Sequence, residues 1–251
     1  MFDLSERTIV VTGGNGGIGL GLARGVARAG ARVAVWARNE DKNQSAQEEL
    51  EALGARVLTV RCDISQEDDI LEAIDATAAH FGRIDACFAN AGYGAPGDPL
   101  KISLEAWREL LSVNLDGTFL TLRCIANHMI EHGGGGKLIA VSSMVAHFGS
   151  PMQAHYAASK AAVGSLVKTF AVRLARHDIQ VNSIEPGWVH TDATVPMSSS
   201  EAMNKILMKR LPARRWGEPS DFEGIAVYLA SDESAYHTGD AILIDGGYSV
   251  F

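Results

Sequence analysis

Short, β-branched apolar runs recur along this chain with longer segments of helical period between them, and that alternation leaves little freedom of architecture. The runs are Thr8 to Val11, Arg32 to Trp36, Arg56 to Arg61, Ile84 to Ala89, Leu138 to Val141, Ile179 to Ile184 and Ala241 to Ile244. Strands joined through helices need crossover connections, so they pair in parallel and both faces of their sheet become covered. The expectation is therefore a doubly wound α/β fold, a seven-stranded parallel sheet with helices on both faces. Ile18, Leu22 and Val26 form one helical stripe, and Val163, Leu166, Val167, Phe170 and Leu174 form another, so both segments predict core-facing helices.

The segment from Leu104 to His132 reads as one long helix with Gly117 inside it, where a bend or a close approach is expected. Gly133 to Gly136 stop it before the next strand. From Asp192 to Pro219 the pattern weakens into Ser, Met, Pro and basic residues, too long for an ordinary connection, and residues 192–219 read as a mobile substrate lid. With no repeat and no linker, residues 1–251 are expected to form a single domain.

Lys and Arg together number 22 against 30 Asp and Glu, a net charge of -8, which is opposite to what a nucleic-acid backbone attracts. Three cysteines, Cys62, Cys87 and Cys124, include no C-x-x-C pair and read as core thiols of a reducing compartment. The first residues carry no basic, apolar leader, and no apolar run approaches a membrane span. A cytoplasmic protein with neither nucleic-acid nor membrane partners is expected.

Thr12-Gly13-Gly14-Asn15-Gly16-Gly17-Ile18-Gly19 follows the first strand and opens the first helix. Glycines allow a tight turn and a close approach of backbone N–H groups, and a helix N-terminus adds unpaired donors and partial positive charge. In this position the turn reads as a cradle for the diphosphate of a dinucleotide, through Gly13, Asn15, Gly17, Ile18 and Gly19. Its G-x-x-x-G-x-G spacing is one residue wider in the first interval than the common G-x-G-x-x-G. At the end of the second strand, where an acid would select NAD(H), the chain has Ala37 and then Arg38. A guanidinium pairs bidentately with a 2′-phosphate, so NADP(H) is the expected cofactor, with NAD(H) possible.

Tyr156 and Lys160 are four residues apart on one helix face, close enough for an ammonium to favour the phenolate and fit the tyrosine for acid/base work. Ser142 and Ser143 end the strand Leu138 to Val141 at the carboxyl edge of the sheet, where ligands of such folds bind.

With Asn90-Ala91-Gly92 after the fourth strand and Pro186-Gly187 followed by Thr191, these residues resemble the short-chain dehydrogenase/reductase family in its compact branch, over essentially the whole chain. The resemblance implies a Rossmann-type fold and hydride transfer between NADP(H), or NAD(H), and a small secondary alcohol or ketone. It implies that Ser143 hydrogen-bonds the substrate oxygen, that Tyr156 transfers the proton, that Lys160 holds the nicotinamide ribose and lowers the tyrosine pKa, and that Asn114 supports a proton path. It further places Asp63 and Ile64 near adenine, Asn90, Ala91, Gly92, Pro186 and Gly187 beside the cofactor, and Val189 and Thr191 near the carboxamide. The family's assembly implies a homotetramer. Where many NADP-using relatives carry a basic residue before the second motif glycine this chain has Gly16, so the phosphate reading rests on Arg38.

Other chemistries fit less well. His128-Met129-Ile130-Glu131-His132 matches a zinc-peptidase string, but it lies at a helix end where cationic His has a dipole reason to be. No metal is expected. Ser165 and Lys168 match S-x-x-K without its companion motifs. A dinucleotide-binding regulator without turnover shares the fold and stands as the alternative.

Overall fold

In the computed structural model, which describes residues 2–251, the strands are β1 (Thr8–Thr12), β2 (Arg32–Trp36), β3 (Val57–Val60), β4 (Ala86–Ala89), β5 (Gly136–Val141), β6 (Ile179–Pro186) and β7 (Ala241–Ile244). All pair in parallel, in the order β3-β2-β1-β4-β5-β6-β7. The order reverses between β1 and β4, which opens a crevice at their carboxyl ends. The runs expected from sequence fall on these strands. The shifts are at the ends: β3 and β4 are shorter, β5 starts at Gly136, and β6 runs on to Pro186.

The helices are α1 (Gly17–Arg28), α2 (Glu40–Ala52), α3 (Glu67–Phe81), α4 (Leu104–Leu111), α5 (Thr118–His132), α6 (Ala154–Leu174), α7 (Val195–Ser198), α8 (Glu201–Arg210) and α9 (Glu223–Ala230). Strand side chains alternate between two cores. Ile9, Val11, Val35 and Phe88 pack with Leu22, Val26, Phe222 and Leu229 on one face. Val10, Trp36, Cys87 and Leu138 pack with Ile74, Ile125, Val163 and Val167 on the other. The three thiols are buried, and burial pushes Cys62 up to about 12, far from a reactive thiolate. Helix α1 seats closely because Gly21 and Gly25 carry no Cβ: one built there would lie 2.1 Å from the Pro219 oxygen and 2.4 Å from that of Glu223.

The long helix expected from Leu104 to His132 is interrupted by a wide, π-type turn over Ser112–Gly117. Gly117 meets the expected close approach, since a Cβ there would lie 2.8 Å from the Ile64 side chain. Gly133, Gly134 and Gly135, with φ of 69°, 94° and 72°, then turn the chain into β5.

Residues 192–219 are more ordered than their composition suggests, for they hold α7 and α8. The ends of this excursion are tied together. His190 N–H donates to the Gly217 oxygen and Gly217 N–H to the Trp188 oxygen, both at 2.8 Å. Among the described residues no helix is long and apolar enough to cross a membrane.

Candidate active site

The crevice is assembled from loops that leave the carboxyl ends of β1, β4, β5 and β6. At the end of β1 the Thr12 hydroxyl accepts from the N–H groups of Asn90 (2.9 Å) and Ala91 (3.0 Å). The Asn90 amide donates back to the oxygens of Thr12 (2.9 Å) and Gly13 (3.3 Å). These bonds fasten the loop after β4 to the glycine turn. Gly13 and Gly17 occupy the left-handed region, at φ of 63° and 50°. A Cβ on Gly19 would strike the Gly13 oxygen at 2.2 Å and the Asn90 amide at 2.4 Å, so the first turn of α1 can seat there only as glycine. Gly16 differs, being extended (φ −176°) with open space where a Cβ would stand. No side chain caps α1, which leaves the first amides of a helix as donors beside that open space.

Asn15, read from sequence as a cradle residue, spends its side chain sideways, donating to Asn43 Oδ1 at 2.7 Å and tying the turn to α2. Arg38 follows β2 with its side chain 63% exposed and its guanidinium 3.6 Å from the Asp63 carboxylate. Burial pushes Asp63 up, but bonds from the Ser65 N–H and hydroxyl, with Arg38, leave it below the usual carboxylate range. Ile64 is buried against Gly117. Thr191 reaches the glycine turn from the other side, 3.1 Å from where a Gly17 Cβ would be, and Val189 is buried beneath it. Pro186 and Gly187 hold the end of β6 against β7, with Gly187 backed onto Asp245.

Ser143, Tyr156 and Lys160 come together at the end of β5. Ser143 is buried where the chain leaves the strand. Lys160 is buried, and its ammonium donates to the Val141 oxygen at 2.8 Å. The Ser142 hydroxyl donates to the Lys160 oxygen at 2.8 Å, which binds α6 to the strand. The Lys160 ammonium lies 5.7 Å from the centre of the Tyr156 ring. Asn114, fully buried in the π-type turn, accepts from Tyr93 N–H (3.0 Å) and donates to the Tyr93 oxygen (2.8 Å). Gly92 is pressed between the two: a Cβ there would be 3.0 Å from Asn114 Oδ1 and 3.6 Å from the Lys160 nitrogen.

One electrostatic expectation is corrected. The sequence suggested a tyrosine made acidic by its lysine, yet burial raises Tyr156 above its ordinary value and only the Ser143 hydrogen bond pulls it back. The cause is the burial of Tyr156 itself; Lys160 does not offset it, for burial lowers its own pKa to about 8 and its ammonium is turned to the Val141 oxygen.

The sequence reading missed the partners that hold these groups: the Thr12 hydroxyl, the Tyr93 main chain, the Val141 oxygen and Asn43. Thr12 carried a usable signal, a hydroxyl at a strand end before a glycine turn. Tyr93 and Val141 act through backbone atoms, and Asn43 acts through its side chain from α2, a helix with hardly any apolar stripe. His128 and His132 stack at the end of α5 with ring centres 4.1 Å apart. His155 packs against Gly97, and burial lowers its pKa.

A family model described as Enoyl-(Acyl carrier protein) reductase matches residues 13–249. Gluconate 5-dehydrogenase of Gluconobacter oxydans is 35% identical over 250 residues, covering 100% of this chain and 97% of the relative. A short-chain type dehydrogenase/reductase from Mycobacterium marinum superposes with a TM-score of 0.94 at 38% identity, over 99% of this chain and 97% of that one. A structure named as a candidate NAD(P)-dependent gluconate 5-dehydrogenase from Beutenbergia cavernae, with NADP bound at low occupancy, gives 0.93 at 35% identity, over 100% and 99%. The switch-point crevice, the glycine turn and the serine, tyrosine and lysine at the end of β5 agree with these matches: the chain belongs to the short-chain dehydrogenase/reductase family.

Proposed function

We propose that this chain is an NAD(P)-dependent oxidoreductase that interconverts a secondary alcohol and a ketone in a small molecule, using NADP(H) in preference to NAD(H). The single observation that carries this reading is the convergence of Ser143, Tyr156 and Lys160 at the carboxyl end of β5, beside a glycine turn whose helix start has no capping side chain. A regulator that only bound a dinucleotide would have no use for a tyrosine with a buried lysine one helical turn away and a buried serine at the neighbouring strand end.

The residues present fit the dinucleotide. The open space at Gly16 and the uncapped amides of α1 suit a diphosphate. Arg38, exposed and only loosely paired with Asp63, suits a 2′-phosphate. Gly13, Gly17, Ile18, Gly19, Asn90, Ala91, Gly92, Ile64, Pro186, Gly187, Val189 and Thr191 line the remaining path, with Asn15 and Asp63 in support. When bound, the nicotinamide supplies or accepts the hydride.

The chain's own residues handle orientation and the proton. Ser143 donates a hydrogen bond to the substrate oxygen and holds it against Tyr156. In reduction the Tyr156 hydroxyl gives its proton to that oxygen as negative charge develops there; in oxidation the phenolate takes it back. A phenol held above its ordinary pKa is kept protonated at neutral pH, ready for the reductive direction. Lys160, held by the Val141 oxygen one helical turn beyond Tyr156, would hold the nicotinamide ribose. Asn114 keeps the 92–93 turn in place through the Tyr93 backbone.

Residues 192–219 act as the substrate lid, hinged where Trp188, His190 and Gly217 are paired. A relative named for gluconate supports a small hydroxy acid among the candidate substrates. Exposed Val172, Leu243, Val250 and Phe251 suit burial in a homotetramer, which light scattering would show as a fourfold mass.

The test is absorbance at the nicotinamide band with a panel of ketones and secondary alcohols. Turnover faster with NADPH than with NADH is expected. Nucleotide binding with no turnover of any member would favour the regulator.

A further inference from the structure

Four aromatic side chains form a wall between the segment that follows Ser143, the segment that follows β6 and the last residues of the chain. Phe148, five residues past Ser143, packs against Tyr248 with ring centres 5.8 Å apart. Tyr248 meets Trp188 edge-on at 6.2 Å, and Trp188 meets Trp216 edge-on at 5.7 Å. The wall therefore joins the segment after the serine to the segment after β6. Buried Glu185 pins the base of this corner by pairing with His147, the neighbour of Phe148.

Arg210, the last residue of α8, lies across this wall. Its guanidinium carbon is 4.3 Å from the centre of the Tyr248 ring and 5.7 Å from that of Phe148. Contact with two rings restrains a side chain that would otherwise lose much rotamer freedom on binding. Stacking uses the face of the guanidinium and leaves its in-plane N–H fork unspent.

The other cations of this segment are not set in the same way. Arg215 is held bidentately by Asp221, at 2.7 and 2.8 Å. Arg214 donates to the Met208 oxygen. Lys205 and Lys209 are exposed, with no aromatic partner among the described residues. Around Arg210, among the described residues, no carboxylate lies within 4.0 Å. A restrained, planar donor fork without an anion, at the rim of an otherwise aromatic wall, is the arrangement that recognises a carboxylate.

We propose that Arg210 is the specificity-determining residue of this site and reads a carboxylate, so that the preferred substrates are small hydroxy or keto acids whose acid group lies away from the reacting carbon. This rests on the oxidoreductase reading above and narrows it. The carboxylate docks on the N–H fork of Arg210, the substrate's carbon chain lies along Trp188 and Tyr248, and the reacting oxygen falls to Ser143 and Tyr156.

The experiment compares matched pairs, a hydroxy acid and its primary amide, a six-carbon aldonate and aldonamide among them. Parent, Arg210→Gln, Arg210→Lys, Phe148→Leu and Lys209→Gln are assayed with NADP(H). In the parent, kcat/KM for the acid exceeds that for the amide by roughly tenfold or more, the size of a charge-assisted pair. Arg210→Gln brings that ratio to about one, mainly through KM, Arg210→Lys keeps part of it, Phe148→Leu lowers it, and Lys209→Gln leaves it alone. A parent that takes amides as well as acids overturns the proposal, as does an Arg210→Gln enzyme with the parental ratio. If Arg210→Gln does not fold, Arg210→Lys and Phe148→Leu take its place, and parental ratios in both overturn the proposal. If neither acids nor neutral compounds turn over, the oxidoreductase reading fails. Calorimetric titration of the protein–NADP complex with the aldonate and the aldonamide then decides Arg210 by itself: equal affinities overturn the proposal, and tighter binding of the aldonate that Arg210→Gln abolishes supports it.

Discussion

Lys160 gives its ammonium to the main-chain oxygen of Val141 at 2.8 Å, one turn of helix beyond the tyrosine it was expected to activate. The lysine is thereby a strut between α6 and β5 as well as a charge, and both roles depend on its staying buried.

That burial has a pH signature. The folded pKa is about 8, below the ordinary 10.5. Between these values the unfolded chain keeps a proton that the folded chain has released, so stability rises with pH through this window. Below it both states carry the charge and the folded state bears the full penalty, roughly 3 kcal/mol. Urea denaturation of the parent and Lys160→Met from about pH 7 to about pH 10 should show the parent gaining on the variant as pH rises. A gap that stays constant with pH would count against the lowered pKa.

Removing the phenol should stop the chemistry and spare the cradle. Tyr156→Phe is expected to lower kcat by roughly 10²–10⁴-fold, the usual worth of a positioned acid/base. The Kd for NADPH, followed by quenching of tryptophan fluorescence, should change less than about threefold, since the phenol adds little to nucleotide affinity. Parental kcat in this variant would remove Tyr156 from the mechanism.

Arg38 should set the choice of dinucleotide. Arg38→Ala is expected to raise KM for NADPH by roughly tenfold or more, the loss of a charge-assisted bond, with KM for NADH nearly unchanged. Equal effects on the two would mean that the loose pair with Asp63 is all that Arg38 provides.

Two glycines of the same turn, Gly16 and Gly19, should behave in opposite ways. Gly19→Ala forces a methyl to within 2.2 Å of the Gly13 oxygen, and a loss of roughly 1–3 kcal/mol is expected as α1 backs away from the turn. Gly16→Ala meets nothing and keeps its extended backbone, so thermal stability should hold while nucleotide affinity falls. Melting curves with and without NADPH separate the two outcomes. A Gly19→Ala protein as stable as the parent would refute the close seat of α1.

The five inner strands were legible because each is an apolar run buried along nearly its whole length, and the edge strands β3 and β7, only partly buried, because they too are short apolar runs, a pattern that needs no knowledge of its neighbours. Gly117 was legible as an interruption, although not as the end of a π-type turn, since such a turn is decided by what packs beside it, here Ile64 and the Tyr93 loop. Helix α2, EDKNQSAQEELEA, has hardly any apolar stripe and only Asn43, Ala46 and Leu50 buried, so periodicity could not announce it. Ser143, Tyr156 and Lys160 could be named from spacing and resemblance, but the balance of their charges could not, because burial rather than proximity decides it. In sequence Arg210 is one of several basic residues of the 192–219 segment. Only the folding of Phe148, Tyr248 and α8 into one corner sets it apart.

The chain departs after Val189 and rejoins at Gly217, two residues that lie side by side in a parallel bridge. The excursion opens and closes at that bridge, and adding to a closed loop of that length changes its closure entropy by only a fraction of a kcal/mol. Insertions and substitutions in this stretch can therefore accumulate without disturbing the sheet it leaves and rejoins.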